Sequence, residues 1–174
     1  CSAMSLKFLH GHINVHVGGI DLRFPHHENE RAQSNSITGT ESVDLWVHGE
    51  HLLFEGRKMS KSAGNVILLS DITARGIDPL ALRLVIQENR YRSQMDLTWD
   101  SIESAFITLK RWRKKVEMWG SSLNVKKDDE IYESFMNDLD TPRVIQRLRT
   151  LERDLTISDE IKRAIFLYAD QVLA

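Results

Sequence analysis

Residues Ile13 to Val17 form a β-branched run that ends on two glycines, Gly18 and Gly19. No other segment constrains the fold as much. β-Branched residues fit a pleated strand, and the glycines mark where it ends. Pro25 suits the first turn of a helix, which is expected to run through Ala32. Val43 to Val47 reads as a second strand, with Leu45 and Val47 alternating with polar or aromatic neighbours. Strand, helix, strand with glycines at strand ends predicts the C-terminal half of a doubly wound sheet. In such sheets ligands bind beyond the carboxyl ends of the strands, where these glycines lie.

From about Ser70 the pattern turns helical. Ser70-Asp71 offers a helix start and Gly76 a stop, and Asp78-Pro79 caps a second helix with Leu80, Leu84 and Val85 on one face. A third helix carries Ile102, Phe106, Leu109, Trp112, Val116 and Trp119 at the 3.6-residue period. Gly120 to Asp129 is polar and is expected to be a mobile loop. Asp140-Thr141-Pro142 opens a helix with Val144, Leu148, Leu151 and Leu155, and Ser158-Asp159-Glu160 opens a last one with Ile161, Ile165, Tyr168 and Val172. Trp112 and Trp119 are expected in packing. Arg90, Arg92, Arg111, Arg113, Lys114 and Lys115 make the helical half basic, either as a solvated face or as a surface for RNA phosphates.

The bulk composition bounds the class. Of 174 residues, 41% are hydrophobic and 28% charged, as in a globular protein. No run of about 18 apolar residues occurs, so no membrane-spanning helix is expected. The start lacks the features of a signal peptide. One cysteine cannot form an internal disulfide, which suits a reducing cytoplasm. A net charge of −2 argues against general nucleic-acid coating but leaves room for local patches. The missing initiating Met, and a final helix running to Ala174, lead us to expect part of a longer chain.

Two constellations carry chemistry. Lys58-Met59-Ser60-Lys61-Ser62 sets two lysines around small or flexible residues, with Gly56 before and Gly64-Asn65 after. Such a cationic loop can stabilise the charge on a departing pyrophosphate, although an ordinary polar loop has the same composition. His26 and Glu30, four residues apart, share one helix face. Both are zinc ligand types, and Cys1 could add a thiolate through the fold. The competing assignment of the His/Glu pair is a cap or an ion pair.

Cys1-Ser2-Ala3-Met4, Gly18-Gly19-Ile20-Asp21, Pro25 to Glu30 and Lys58 to Ser62, in that order and at that spacing, resemble the cysteinyl-tRNA synthetases of class I. Tyr91-Arg92-Ser93 and Asp140-Thr141-Pro142 add to the resemblance, which covers nearly all of the chain. It implies the C-terminal half of a Rossmann-like doubly wound catalytic domain followed by a helical bundle. The expected division is 1–66 for the catalytic half, 67–98 for connecting helices and 99–174 for an incomplete bundle.

The resemblance assigns Cys1, His26 and Glu30 to one zinc ion per subunit, with a fourth cysteine ligand from outside this chain. Zinc would take the substrate thiolate directly, and serine's hydroxyl is a far poorer ligand. The resemblance sets His16 beside the bound amino acid, against the alternative of a buried, satisfied histidine. His27 is either a supporting or capping partner, or a substrate contact. Gly18, Gly19 and Asp21 are implied to lie against adenosine, Asp21 accepting from ribose hydroxyls, and Leu52 lies in the segment that cradles adenine. The family pattern commonly has glycine where this chain has Val17. Lys58 and Lys61 are the implied catalytic pair, acting on ATP with Mg²⁺. The partners implied are L-cysteine, ATP and tRNA(Cys), with no membrane, for a cytoplasmic monomer. His10-Gly11-His12 is similar to the family's absent His-x-Gly-His motif but reads as a connecting turn.

Two rival functions share some of these residues. One is the mycothiol-pathway ligase that joins cysteine to an aminoglucosyl-inositol; Tyr91-Arg92-Ser93 and Asn29-Glu30 favour the synthetase. The other is a non-catalytic synthetase-like binding module, against which the complete signature lysines argue. The 174-residue piece alone is expected to be inactive.

Overall fold

The β-branched run extends two residues further than its side chains predict. In the computed structural model, which describes residues 1–59 and 66–174, strand β1 spans Ile13–Gly19 and includes both glycines. It pairs in parallel with β2 (Val43–Gly49), Ile13 opposite Val43 and Gly19 opposite Gly49. A parallel pair needs a crossover, and helix α2 (Glu28–Thr38) supplies it. Helix α1 (Ser2–Phe8) precedes β1 through a turn in which His10 and Gly11 have φ of 57° and 85°. His10-Gly11-His12 is thus a connecting turn.

The crossover helix starts later and ends later than expected. Pro25 lies in an irregular turn, Arg23–His27, and not in the first turn of α2. The cause is Phe24, which is extended at φ −138° and ψ 134°, as a residue before proline tends to be. The helix then continues past Ala32 to Thr38.

Side-chain alternation gives the two-stranded sheet two unlike faces. One carries His16, Gly18, Trp46 and His48. The other exposes Val15, Val17 and Leu45, at 52%, 66% and 54%. These elements form one compact unit, Cys1–His51 with Tyr91–Gln94.

The second unit comprises Leu52–Arg90 and Met95–Ala174. It contains a small sheet that periodicity did not reveal, because strands of two or three residues carry no pattern. Strand β3 (Leu52–Phe54) pairs antiparallel with β4 (Arg57–Lys58) and parallel with β5 (Met95–Leu97). Helices α3 (Leu69–Ala74), α4 (Leu80–Gln87), α5 (Trp99–Met118), α7 (Thr141–Arg153) and α8 (Asp159–Leu173) match the predicted order. Helix α6 (Asp129–Met136) was not anticipated. It is short, follows a polar stretch, and is capped by Asp128, which accepts the Ile131 N–H at 3.1 Å.

Ile72, Leu97, Ile102, Ile131, Val144, Ile145 and Leu151 are fully buried and define the core of this unit. Several stripe assignments shift. Leu155 lies beyond α7 and is 96% exposed, and in α8 Ala164, Phe166 and Ala169 are buried where Ile161 and Val172 are not. Leu80 of α4 is likewise exposed, and Ala81 takes its place in the core. The polar segment before α6 is fastened to α8, Lys126 N–H donating to Ala164 O at 3.0 Å and Arg163 Nε to Ser122 O at 2.6 Å.

The predicted basic surface is in part ion-paired within the second unit while remaining partly exposed. Arg111 and Lys115 lie 2.8 and 3.8 Å from Glu152, Arg113 lies 2.6 Å from Asp78, and Arg90 pairs with Asp140. Trp112 and Trp119 both meet Phe166 edge-on, as packing residues. Among the described residues no helix is long and apolar enough to cross a membrane.

Candidate active site

Cys1, His26 and Glu30 reach one point of the first unit from three directions. Cys1 precedes α1, His26 lies in the turn before α2, and Glu30 lies in its first helical turn. A thiol sulfur, an imidazole nitrogen and a carboxylate oxygen there all lie within 4.8 Å of one another. His26 Nε2 stands 3.6 Å from Glu30 Oε1. Glu30 is only 7% exposed, yet its Oε2 has no hydrogen-bond partner among the described residues. A buried carboxylate oxygen left unsatisfied is costly. Sulfur, nitrogen and oxygen are the donor types zinc takes, and a cation on the Glu30 carboxylate would offset the cost of burying its charge. The residues fit the ion.

A second set, His16, His27 and Glu30, also has ligand atoms within 4.8 Å of one another. Glu30 therefore faces both ways, Oε1 toward His26 and Oε2 toward His16 Nε2 at 3.4 Å. The His16 ring is half-buried and stacks on Trp46, with centroids 4.5 Å apart at 22°. His27 is buried, and its Nδ1 lies 2.9 Å from His48 Nε2. One of these rings donates the N–H and the other accepts it. Burial lowers the His27 pKa below its ordinary value, and the neighbouring His16 adds to the shift.

Gly18 and Gly19 lie at the carboxyl end of β1. A side chain at Gly18 would place its Cβ 2.4 Å from His27 Cε1, so the glycine makes room for that imidazole. At Gly19 a Cβ would meet Asp21 Oδ1 at 2.5 Å, in the turn that follows the strand. A cavity of about 520 Å³ opens here, lined by Arg23, His27, Trp46, His48, Glu50 and Arg92 among others. Its position at the strand ends is where doubly wound sheets bind ligands. Trp46, His48 and Glu50 were missed by sequence reasoning. The signal for Trp46 and His48 is the period of two in β2, which sets them on the same face as His16 once the register is known; Glu50 follows the strand's end.

Of the predicted adenine- and phosphate-handling residues, Leu52 and Lys58 belong to the second unit. Leu52 begins β3, and exposed Lys58 ends β4 opposite Leu53. Lys61 lies outside the described residues.

The profile of the family described as "tRNA synthetases class I (C) catalytic domain" matches residues 1–107. Three curated relatives are each named cysteine–tRNA ligase. The one from Opitutus terrae is 38% identical over 98% of this chain, that from Solibacter usitatus 45% over 65%, and that from Thermus thermophilus 40% over 85%. The chain spans 39%, 24% and 33% of their respective lengths. Among solved structures, the LeuRS–tRNA–LeuAMS ternary complex of Agrobacterium radiobacter K84 aligns with a TM-score of 0.68 at 15% identity, over 92% of this chain and 25% of that one. Mycobacterium tuberculosis methionyl-tRNA synthetase, in complex with methionyl-adenylate, aligns with a TM-score of 0.52 at 15% identity, over 92% and 39%. At that identity the two structures speak for the fold, while the family match rests on sequence along most of the chain. This chain belongs to the cysteinyl-tRNA synthetase family of class I.

Proposed function

We propose that the protein carrying this chain is a cysteine–tRNA ligase, which activates L-cysteine with ATP and transfers it to tRNA(Cys). The observation that carries the reading is the Cys1–His26–Glu30 donor set, built on a buried carboxylate, in a chain of this family. Zinc bound there, one per subunit with a fourth ligand from outside this chain, supplies a soft Lewis acid that prefers a thiolate to a hydroxyl. Such a preference exceeds the ~1–3 kcal/mol that packing against one methylene provides.

The chain's own residues do the rest by position. Glu30 holds the donor set in place from its buried site, and His16, fixed by its stack on Trp46, stands beside the amino acid. Gly18, Gly19 and Asp21 lie against the ribose, Asp21 accepting from its hydroxyls, and the backbone at Leu52 meets adenine. A cysteine carboxylate oxygen attacks the α-phosphorus, and the bond to the β,γ-phosphates breaks with its electron pair leaving on pyrophosphate. Lys58 and Lys61, with the Mg²⁺ that accompanies ATP, stabilise that charge. The 3′-terminal hydroxyl of tRNA then attacks the acyl carbon and AMP leaves. The protein works as a cytoplasmic monomer, and the 174-residue chain alone does not complete the cycle.

Cysteine-dependent ATP–pyrophosphate exchange tests this reading, measured on the protein that carries this chain, with and without a zinc chelator. The expected result is exchange that needs cysteine, ignores serine and is lost on chelation. Acceptor assays with tRNA(Cys) and with the aminoglucosyl-inositol amine then separate the two ligase chemistries. A zinc-loaded, folded protein with no exchange is a binding module instead.

A further inference from the structure

The hairpin that leads to Lys58 reverses at Glu55 and Gly56, whose φ angles are 51° and 73°. Positive φ at both central residues is the mirror-image turn that follows the right-handed twist of paired strands. Glycine adopts it freely, whereas glutamate does so at a steric cost. Hydrogen bonds to β5 and to the start of α5 hold the turn in this form. The Glu55 N–H donates to Leu97 O at 3.0 Å. The Gly56 N–H donates to the Asp96 carboxylate, 2.9 Å from Oδ1 and 3.0 Å from Oδ2. The Trp99 N–H, first in α5, donates to Glu55 Oε1 at 3.0 Å.

That last donor is one a helix cannot satisfy internally, and the positive end of α5 favours a carboxylate. The Trp99 ring is itself held, edge-on to Phe54 at 5.9 Å and under the Arg75 guanidinium at 3.6 Å. An asparagine or glycine would suit the backbone at position 55 better than glutamate. What glutamate adds is a carboxylate that reaches α5.

We propose that Glu55 and Asp96 are positioning residues, a two-point clamp that fixes the hairpin on the start of α5 and so sets where Lys58 stands. The proposal rests on the ligase reading, in which Lys58 meets the phosphates. Lys58 is paired with Leu53 only two residues beyond the turn, so the geometry of the turn passes directly to it. A charged group displaced by about 1 Å can slow a reaction by up to about 10²-fold.

The test compares Glu55→Asn, Asp96→Ala and Asp96→Asn in the protein that carries this chain. Exchange kinetics, zinc content, urea unfolding and amide hydrogen exchange are measured for each. Asparagine tolerates positive φ but is too short to reach Trp99. Glu55→Asn is therefore expected to keep or raise stability while lowering kcat about 10-fold, with zinc content and the KM for cysteine unchanged. Asp96→Ala is expected to match it, and Asp96→Asn to recover most of the rate, because its amide oxygen still accepts the Gly56 N–H. Wild-type kcat in both Glu55→Asn and Asp96→Ala overturns the clamp, as does a rate loss that only tracks lost stability. No exchange from the unaltered protein overturns the ligase reading and the role given to Lys58. Slow amide exchange at Gly56 and Trp99 that is lost in the variants still supports the clamp itself.

Discussion

Glu30 shows how much one side chain can settle. Its spacing from His26 is visible in the sequence, and so is the chance that Cys1 joins them. That its second oxygen faces His16 is not, because the contact depends on how β1 lies against α2. Gly18 reverses the lesson. Sequence reasoning gave it to a nucleotide, and the structure adds that its missing side chain makes space for His27. A methyl group there would have to displace a buried imidazole that is hydrogen-bonded to His48. Gly18→Ala is therefore expected to cost about 1–3 kcal/mol of stability, the usual penalty for overpacking a tight site. Urea unfolding of the variant measures it, and truncating the ring with His27→Ala in the Gly18→Ala background should recover part of the loss. Additive costs in the double variant would show that the two sites do not touch energetically.

At the scale of elements, length decided what could be foreseen. Helices of three turns or more with an apolar stripe were legible, as α5, α7 and α8 show, whereas the capped but short α6 was not. Strands β3 to β5 were not, since pairing partners rather than pattern define them. The helix α5 stripe was seen, but its opposite edge was taken for a solvated or RNA-facing surface. There, Glu152 of α7 accepts from Arg111 Nε and from Trp112 Nε1, each at 2.8 Å. Burial alone would push this carboxyl up; the hydrogen bonds from Arg111 and Trp112, with the charges of Arg111 and Lys115, outweigh it. The net shift is below the ordinary glutamate value of 4.5. A depressed folded pKa means stability that is complete above the unfolded value and lost as pH falls through the folded one. Glu152→Gln should flatten stability between about pH 4.5 and lower values, seen as a weaker pH dependence of the urea midpoint. Glu152→Ala should cost roughly 2–3 kcal/mol at pH 7, less than a fully buried pair because Arg111 is half in water.

At the scale of the whole molecule, the sequence correctly separated an α/β part from a helical part. What it did not show is how unequal the two faces of the small parallel sheet are. Parallel sheets are ordinarily covered on both faces, and here Val15, Val17 and Leu45 stand open on one of them. An uncovered apolar face of this kind favours association. The 174-residue chain, studied alone, is expected to self-associate as its concentration rises, which sedimentation velocity would follow. Val15→Thr with Val17→Thr should shift that association to higher concentration without altering the site face. A concentration-independent monomer for the unaltered chain would count against it.

The same alternation has a consequence for anyone who redesigns β1. Val15 and Val17 lie on its open face and His16 and Gly18 on the face it shares with Trp46 and His48, and the two sets are interleaved along a single strand. Redecorating Val15 or Val17 leaves the imidazoles where they are, so solubility can be tuned there by side-chain exchange alone. An insertion or deletion of one residue exchanges the two faces at once, turning valines toward the Trp46 and His48 side and histidine toward the open side. The strand can be repainted on its open face, but it cannot be lengthened.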